Sequence, residues 1–285
     1  MPGILYVVAT PIGNLEDVTL RALRVLREVS VIAAEDTRRT ARLLQHYSIS
    51  TPTTSLHEHN EHARTRGLVE RLVAGDSVAL VSDAGTPVVS DPGVRLVEAA
   101  HERGIRVEPV PGPSAVIAAL SAAGIRGDGF IFLGFPPDRS NARKKWFRDI
   151  ASERRPLVLY EAPHRIRTTL GDIASELGSR RVAIAREITK LHESLAVRPI
   201  SDWLADPPIE RGEFTLVVSG SPDTSDDESR RPADDVIGDY FGYLTEKLCM
   251  GRRVALKEAA KQFRLSTREV FAAVDRDKIR SKDTE

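Results

Sequence analysis

The chain has 285 residues, room for two α/β domains of ordinary size. Its 41 lysines and arginines balance 41 aspartates and glutamates, which excludes attraction of the whole molecule to a polyanion. Any contact with nucleic acid must therefore come from local patches. The one cysteine, Cys249, excludes an intramolecular disulfide and a multi-cysteine zinc site. No run approaches the ~20 apolar residues needed to cross a bilayer, and the opening residues lack the basic start and cleavage site of a signal peptide. The expectation is a cytoplasmic protein with no membrane partner.

Ile4 to Ala9 forms a compact β-rich run stopped by the turn signal Thr10-Pro11-Ile12-Gly13-Asn14. Leu20, Leu23, Val25, Leu26 and Val29 follow at mostly helical spacing, and Val31 to Ala34 reads as the next strand, ending at Glu35-Asp36-Thr37-Arg38. Val78 to Val81 leads into Ser82-Asp83-Ala84-Gly85-Thr86-Pro87 and a helix closed by Arg103-Gly104. Val107 to Val110 leads into Pro111-Gly112-Pro113-Ser114-Ala115 and a helix of small residues. Such strands lack side alternation and are separated by helices, so the sheet is covered on both faces and the class is α/β.

The pattern restarts after the glycine-rich stretch Gly124 to Gly129, with strands at Phe130 to Leu133, Leu157 to Tyr160, Val182 to Ala185 and Phe214 to Val218. The division expected is an α/β domain at 1–124, a second at 125–220, an acidic linker at 221–235 and a basic helical tail at 236–285. Ser221 to Asp235 carries six acids against two arginines and reads as a tether. Lys247 to Lys282 carries eleven basic residues against four acids. It reads as two short helices, Val254 to Phe263 and Thr267 to Val274, around a turn at Arg264-Leu265-Ser266, with Ser266 as a cap.

There is no Walker A sequence, and Gly127-Asp128-Gly129 precedes a strand, so the ordinary nucleotide and Rossmann readings fail. In their place stand three rigid turns at the ends of strands, Thr10 to Asn14, Asp83 to Pro87 and Pro111 to Ala115. The carboxyl ends of strands are where open α/β sheets bind ligands. Glycine there lets the backbone approach a ligand closely, and proline holds the loop.

Val8 to Leu15, Glu35-Asp36-Thr37-Arg38-Arg39-Thr40, Ser82 to Pro87 and Val110 to Ala115 resemble the tetrapyrrole-methylase-fold enzymes. Tyr160-Glu161-Ala162-Pro163-His164-Arg165, Arg186 to Glu193 and Gly212-Glu213-Phe214-Thr215 continue the resemblance, which runs from Leu5 to Ser219. Within that family the chain is similar to the bacterial branch that methylates the 2′ oxygen of a cytidine ribose in small-subunit ribosomal RNA. The resemblance implies a class III methyltransferase fold of two α/β domains with a small C-terminal helical extension. It also implies S-adenosylmethionine as cofactor, ribosomal RNA or the small ribosomal subunit as partner, and a homodimer. By motif, the cofactor would meet Asp83, Ala84, Gly85, Thr86, Pro111, Gly112, Pro113, Ser114 and Tyr160.

A ribose hydroxyl is a weak nucleophile, so a general base or a cation at the developing alkoxide should help. Glu35, Asp36, Glu161, Glu187 and Glu193 are candidate bases, and Arg38, Arg165 and Lys190 candidate stabilisers. Of these, Glu35, Asp36, Arg38, Glu187 and Lys190 are expected at the reaction, with an N-cap role for Asp36 or Thr37 as the structural alternative. Asn14, Arg39, Glu161, His164, Arg165, Arg143, Lys144 and Lys145 are expected on the substrate side. From Arg139 to Arg167 nine basic residues face three acids, with Trp146, Phe147, Tyr160 and His164 interspersed, a composition suited to phosphates and unpaired bases or to a solvated helix face. His57-Glu58-His59-Asn60-Glu61-His62 does not fit the H-E-x-x-H spacing, and no metal is expected. Two alternatives are a small-molecule methylase of the same fold and a non-enzymatic nucleic-acid-binding regulator built on the tail.

Overall fold

The computed structural model describes residues 1–222, 232–263 and 265–282. These form two compact units, Met1–Ser221 and Pro222–Glu285. Most of the acidic stretch expected to act as a tether, residues 223–231, lies outside the described residues, as does Arg264 of the expected tail turn. Among the described residues no helix is long and apolar enough to cross a membrane.

The first unit holds two five-stranded sheets. In the first, β1 (Ile4–Val8), β2 (Val31–Ala34), β3 (Thr53–Ser55), β4 (Val78–Val81) and β5 (Arg106–Val110) are all parallel, in the order β3-β2-β4-β1-β5. Helices α1 (Leu20–Glu28) and α2 (Thr37–His46) cover one face around Val8, Leu26, Ile32 and Leu43. Helices α3 (Glu61–Ala74) and α4 (Val94–Glu102) cover the other around Leu5, Leu72, Leu80 and Leu96. Burial on both sides is why β2 and β4 are apolar throughout. The order also makes β4, β1 and β5 neighbours, so the three turns singled out in the sequence leave one edge of the sheet side by side. The first two are joined by paired hydrogen bonds, Thr10 N to Gly85 O at 2.8 Å and Gly85 N to Thr10 O at 3.0 Å.

The second sheet is mixed. Its strands are β6 (Ile131–Phe132), β7 (Leu157–Glu161), β8 (Arg181–Arg186), β9 (Ser194–Pro199) and β10 (Phe214–Val218), ordered β6-β7-β10-β8-β9. Only β6 and β7 run parallel. Helices α6 (Ser140–Asp149), α7 (Ile166–Leu177) and α8 (Ile200–Ala205) pack one face through Phe147, Ile173 and Trp203. The other face is covered by α5 (Ala115–Ala123), whose Val116, Ala119 and Ala123 meet Val158, Ala183 and Val217. Packing thus moves the change-over between sheets ahead of α5, to the Pro111–Ser114 turn, whereas composition suggests 124–129. Gly127 is no free linker position either, because a Cβ there would lie 2.2 Å from Pro156 Cδ.

The second unit is helical, with α9 (Asp234–Gly242) running into a π-helical turn (Tyr243–Lys247), then α10 (Arg252–Phe263) and α11 (Thr267–Lys282). Ile237, Phe241, Leu244, Ala259 and Val270 make its core. Ser266 Oγ accepts from Glu269 N at 3.2 Å while the Glu269 carboxylate accepts from Ser266 N at 2.7 Å, a reciprocal cap for α11. The sequence reading missed α9, which opens with Asp234 and Asp235 and carries glycine at 238 and 242.

Candidate active site

The three adjacent turns of the first sheet and the edge of the second enclose a cleft of about 910 Å3 within the first unit. One wall is the Pro111–Ser114 turn with the loop from Ser82 to Gly93, and the other carries Phe130, Phe132, Phe135 and Tyr160. Tyr160 meets Phe132 edge-on at 5.1 Å and Phe135 at 5.4 Å, leaving an aromatic surface for a flat ring.

Two loops at the cleft hold non-glycine residues in left-handed backbone, Val88 (φ 74°) and Ser90 (φ 67°) in one, Glu187 (φ 53°) and Thr189 (φ 67°) in the other. Valine is especially disfavoured there, and such strain concentrates at ligand sites. The first loop is anchored by Glu61, a buried carboxylate on α3 that accepts from Gly93 N and Arg95 N, each at 3.0 Å. The second is held by Glu187 Oε1, which accepts from Glu213 N at 2.8 Å, and by Glu193, which accepts from Thr189 N at 2.6 Å. The two sheets are stitched together here. Asn14 N donates to Thr189 Oγ1 at 3.0 Å, and a Cβ at Gly13 would lie 2.5 Å from Lys190 Cγ. That approach requires glycine at 13.

The cleft is acidic on its first-sheet side. Glu35 Oε2 accepts from Asp83 N at 3.2 Å, and Asp83 accepts from Asp36 N at 2.9 Å and pairs with Arg39 at 3.2 Å. Burial raises the Glu35 carboxyl above its ordinary value, outweighing the Asp83 amide. Asp91 is pushed up to about 6, first by burial and then by the charges of Glu35 and Asp83, against a hydrogen bond from Ser82. Clustered carboxylates that resist ionisation mark a place where a cation would be stabilised. The Tyr160 phenol is pushed up to about 12 by burial, Asp91 and Glu213, so it stays neutral at physiological pH.

Residues 4–203 match the family of Tetrapyrrole (Corrin/Porphyrin) Methylases. The chain belongs to this family. It is 50% identical over 223 residues to Ribosomal RNA small subunit methyltransferase I of Pseudomonas aeruginosa, covering 76% of this chain and 79% of that protein. Against the protein of the same name from Synechocystis sp. it is 43% identical over 272 residues, covering 94% and 96%. In fold it is similar to uroporphyrin-III C-methyl transferase from Thermus thermophilus, solved in complex with S-adenyl homocysteine. That likeness has a TM-score of 0.53 at 20% identity and covers 75% of this chain and 97% of that one.

In this methylase the expected cofactor residues Asp83, Ala84, Gly85, Thr86, Pro111, Gly112, Ser114 and Tyr160 all line the cleft. Pro113 stands behind the wall, its carbonyl accepting from Thr86 Oγ1 at 3.3 Å. A Cβ at Gly112 would lie 3.0 Å from the Ala9 Cβ, so glycine here lets the turn close on β1. Of the expected reaction residues, Glu35 faces the cleft, and Lys190 lines a smaller pocket beside it. Lys190 Nζ is shared by Glu187 at 3.0 Å and Glu213 at 2.9 Å. These bonds raise its pKa in spite of burial, and for Glu187 the Glu213 amide and Lys190 outweigh burial and lower it.

Asp36 and Arg38 take the structural alternative. Asp36 caps α2 by accepting from Arg38 N at 2.8 Å and binds the Arg38 guanidinium at 2.9 Å, which holds its carboxyl down to about 2. Neither lines the cleft. Arg143 also departs from expectation. It is 3% exposed, donates to Asp172 at 2.7 Å and to the carbonyls of Pro137 and Asp138, and so has no surface to offer a phosphate. Glu161 lines the cleft but is buried, accepting from Ala162 N and Thr169 Oγ1, and Arg165 turns onto Pro136, Pro137 and Asp138. Phe147 is core and offers no ring for stacking, and Trp146, partly buried, packs on it edge-on at 5.0 Å. Lys145 and His164 are exposed, Lys144 is partly so, and Arg39 lies exposed at the cleft.

Asp91, Ile188, Glu213 and the three phenylalanines line the cleft in addition to the expected residues. The signal for Asp91 lay in the turn residues Ser90-Asp91-Pro92-Gly93, which extend the Ser82–Pro87 loop. Among the described residues no cluster of histidine, cysteine or acid is placed to hold a metal. In the histidine stretch, His57 Nε2 lies 3.0 Å from Asn60 Nδ2 and Glu61 serves the Gly93 loop.

Proposed function

We infer that this methylase transfers a methyl group from S-adenosylmethionine to the 2′ oxygen of a cytidine ribose in small-subunit ribosomal RNA. The observation that carries the reading is one cleft pairing an aromatic, apolar wall with the carboxylates Glu35, Asp83 and Asp91, in a chain half identical to small-subunit ribosomal RNA methyltransferases. Those residues fit the cofactor's chemistry. The rings suit adenine, the carboxylates suit a molecule carrying both a sulfonium and an ammonium, and the exposed turn Pro111-Gly112 offers backbone for polar contacts. When bound, S-adenosylmethionine supplies an activated methyl group.

The protein's own work is alignment and exclusion of water. Glu35, half-buried at the cleft and raised by that burial, is assigned to take the ribose hydroxyl proton. Arg39 stands at the junction of the cleft with its smaller neighbour and Lys190 lines that neighbour, and both are assigned to meet the approaching nucleotide. Glu187 holds Lys190 in place. Asn14, Lys144, Lys145 and His164 are assigned to the RNA side, and two copies are assigned to the working assembly, a point that mass in solution checks.

Competition between acceptors tests this reading. The full chain is given labelled S-adenosylmethionine with either unmodified small ribosomal subunits or a uroporphyrinogen. Incorporation into RNA alone is the expected result, whereas incorporation into the macrocycle alone would make it a small-molecule methylase.

A further inference from the structure

A second pocket of about 400 Å3 opens beside the main cleft and shares Ile12, Arg39, Asp83, Ala84 and Glu213 with it. Its size lies at the low end of the roughly 300–1,000 Å3 typical of ligand sites. Its lining differs in kind from that of the cleft. None of the described residues that line it is aromatic, and three of them, Arg39, Arg42 and Lys190, are cations. Arg39 and Arg42 are three apart on α2 and so share a face of that helix. Lys190 reaches in from the second sheet, across Gly13.

The three cations are not equivalent. Arg39 is paired with Asp83, and Lys190 is shared by Glu187 and Glu213. Arg42 is exposed, and its guanidinium has no hydrogen bond or ion pair among the described residues. A pocket without rings gives a nucleobase nothing to stack on, and an unpaired guanidinium is the donor set that a phosphodiester takes in bidentate fashion.

We propose that this pocket is a backbone subsite, seating the ribose-phosphate beside the methyl-accepting nucleotide, with Arg42 as the cation that meets the phosphate. The proposal rests on the RNA methylase reading. Through the shared Arg39 and Asp83 it ties the register of the strand to the cofactor cleft. Seating one phosphate here leaves the neighbouring ribose at the junction of the two pockets, where Asp83 lies with Glu35 on its cleft side.

The test compares the full-length wild type, Arg42→Ala and Arg42→Lys. Affinity for a short labelled single-stranded RNA is measured across a salt series, and methyl transfer to unmodified small subunits is followed in parallel. Losing one phosphate contact should lower the magnitude of the salt slope by about 0.7. Between about 50 and 200 mM salt, that makes the defect of Arg42→Ala about threefold larger at the low end. KM for subunits should rise, S-adenosylmethionine affinity should stay at the wild-type value, and Arg42→Lys should regain the salt slope. An Arg42→Ala enzyme with the wild-type slope and KM would overturn the subsite while leaving the methylase reading intact. A wild type that transfers no methyl to any ribosomal RNA would overturn both.

Discussion

The acidic side of the cleft makes a quantitative prediction for the Asp91→Asn variant. Asp91 is pushed up to about 6 in the folded protein, against an ordinary carboxylate value of roughly 3.9 in the unfolded chain. A raised acid holds a proton in the folded state that the unfolded state has lost. Stability therefore falls as pH rises through about 4 to 6, and the cost is present in full at neutral pH. The gap is equivalent to ~3 kcal/mol at most, and solvent screening of a half-buried group reduces it to ~1 kcal/mol. Asparagine should return that ~1 kcal/mol near neutral pH and nothing near about pH 4. A bound cation removes the same cost. Binding therefore favours the ionised form, and affinity for S-adenosylmethionine should climb with pH by up to about fivefold, the equivalent of that ~1 kcal/mol, between about pH 4 and pH 7. Glu35, also raised, adds in the same direction. Calorimetric titration across the range, with denaturant melts at each pH, measures both quantities. A wild-type affinity flat with pH, or an Asp91→Asn variant with the wild-type slope, would refute the claim that these carboxylates face a cation.

Three other substitutions separate packing from binding. Arg143→Ala strands the buried Asp172, with Lys144 at 3.9 Å the one other cation beside it among the described residues, and should cost ~3 kcal/mol in a denaturant melt with RNA affinity unchanged. Lost RNA binding at unchanged stability would put Arg143 back on the substrate side. Tyr160→Phe should retain S-adenosylmethionine affinity within about twofold, because the phenol is neutral and the ring is what the site uses, while Tyr160→Ala should weaken it by roughly tenfold. Gly112→Ala should destabilise by ~1 kcal/mol through contact with Ala9, and Ala9→Gly in the same chain should restore the loss. Failure of that rescue would return Gly112 to direct ligand contact.

Much of the fold is legible in the residues because buried parallel strands announce themselves. Val31–Ala34 and Val78–Val81 are apolar runs, and the turns after β1, β4 and β5 carry glycine and proline where a ligand site needs them. What the residues do not display is partnership. β3, only Thr53–Ser55, is polar throughout, and β9, half-exposed at the edge of the second sheet, has no more than the short run Leu195–Val197 to betray it. Their strand form comes from the neighbours they pair with, Val31–Ala34 for one and Arg181–Arg186 for the other. The same holds for charge. Arg143 reads as basic surface until Asp172, 29 positions on in sequence, is seen to bury it. Asp91 reads as a turn residue until Ser82, Glu35 and Asp83 surround it. Side chains satisfied across long sequence separations look, in one dimension, like free functional groups.

The most direct measurement is transfer of labelled methyl from S-adenosylmethionine to small ribosomal subunits from a strain lacking the enzyme, with the product digested and mapped by mass spectrometry. The expected result is label on the 2′ oxygen of one cytidine ribose, and none with subunits that already carry the modification. Label on a base, or no incorporation by a chain that binds S-adenosylmethionine tightly, would contradict it.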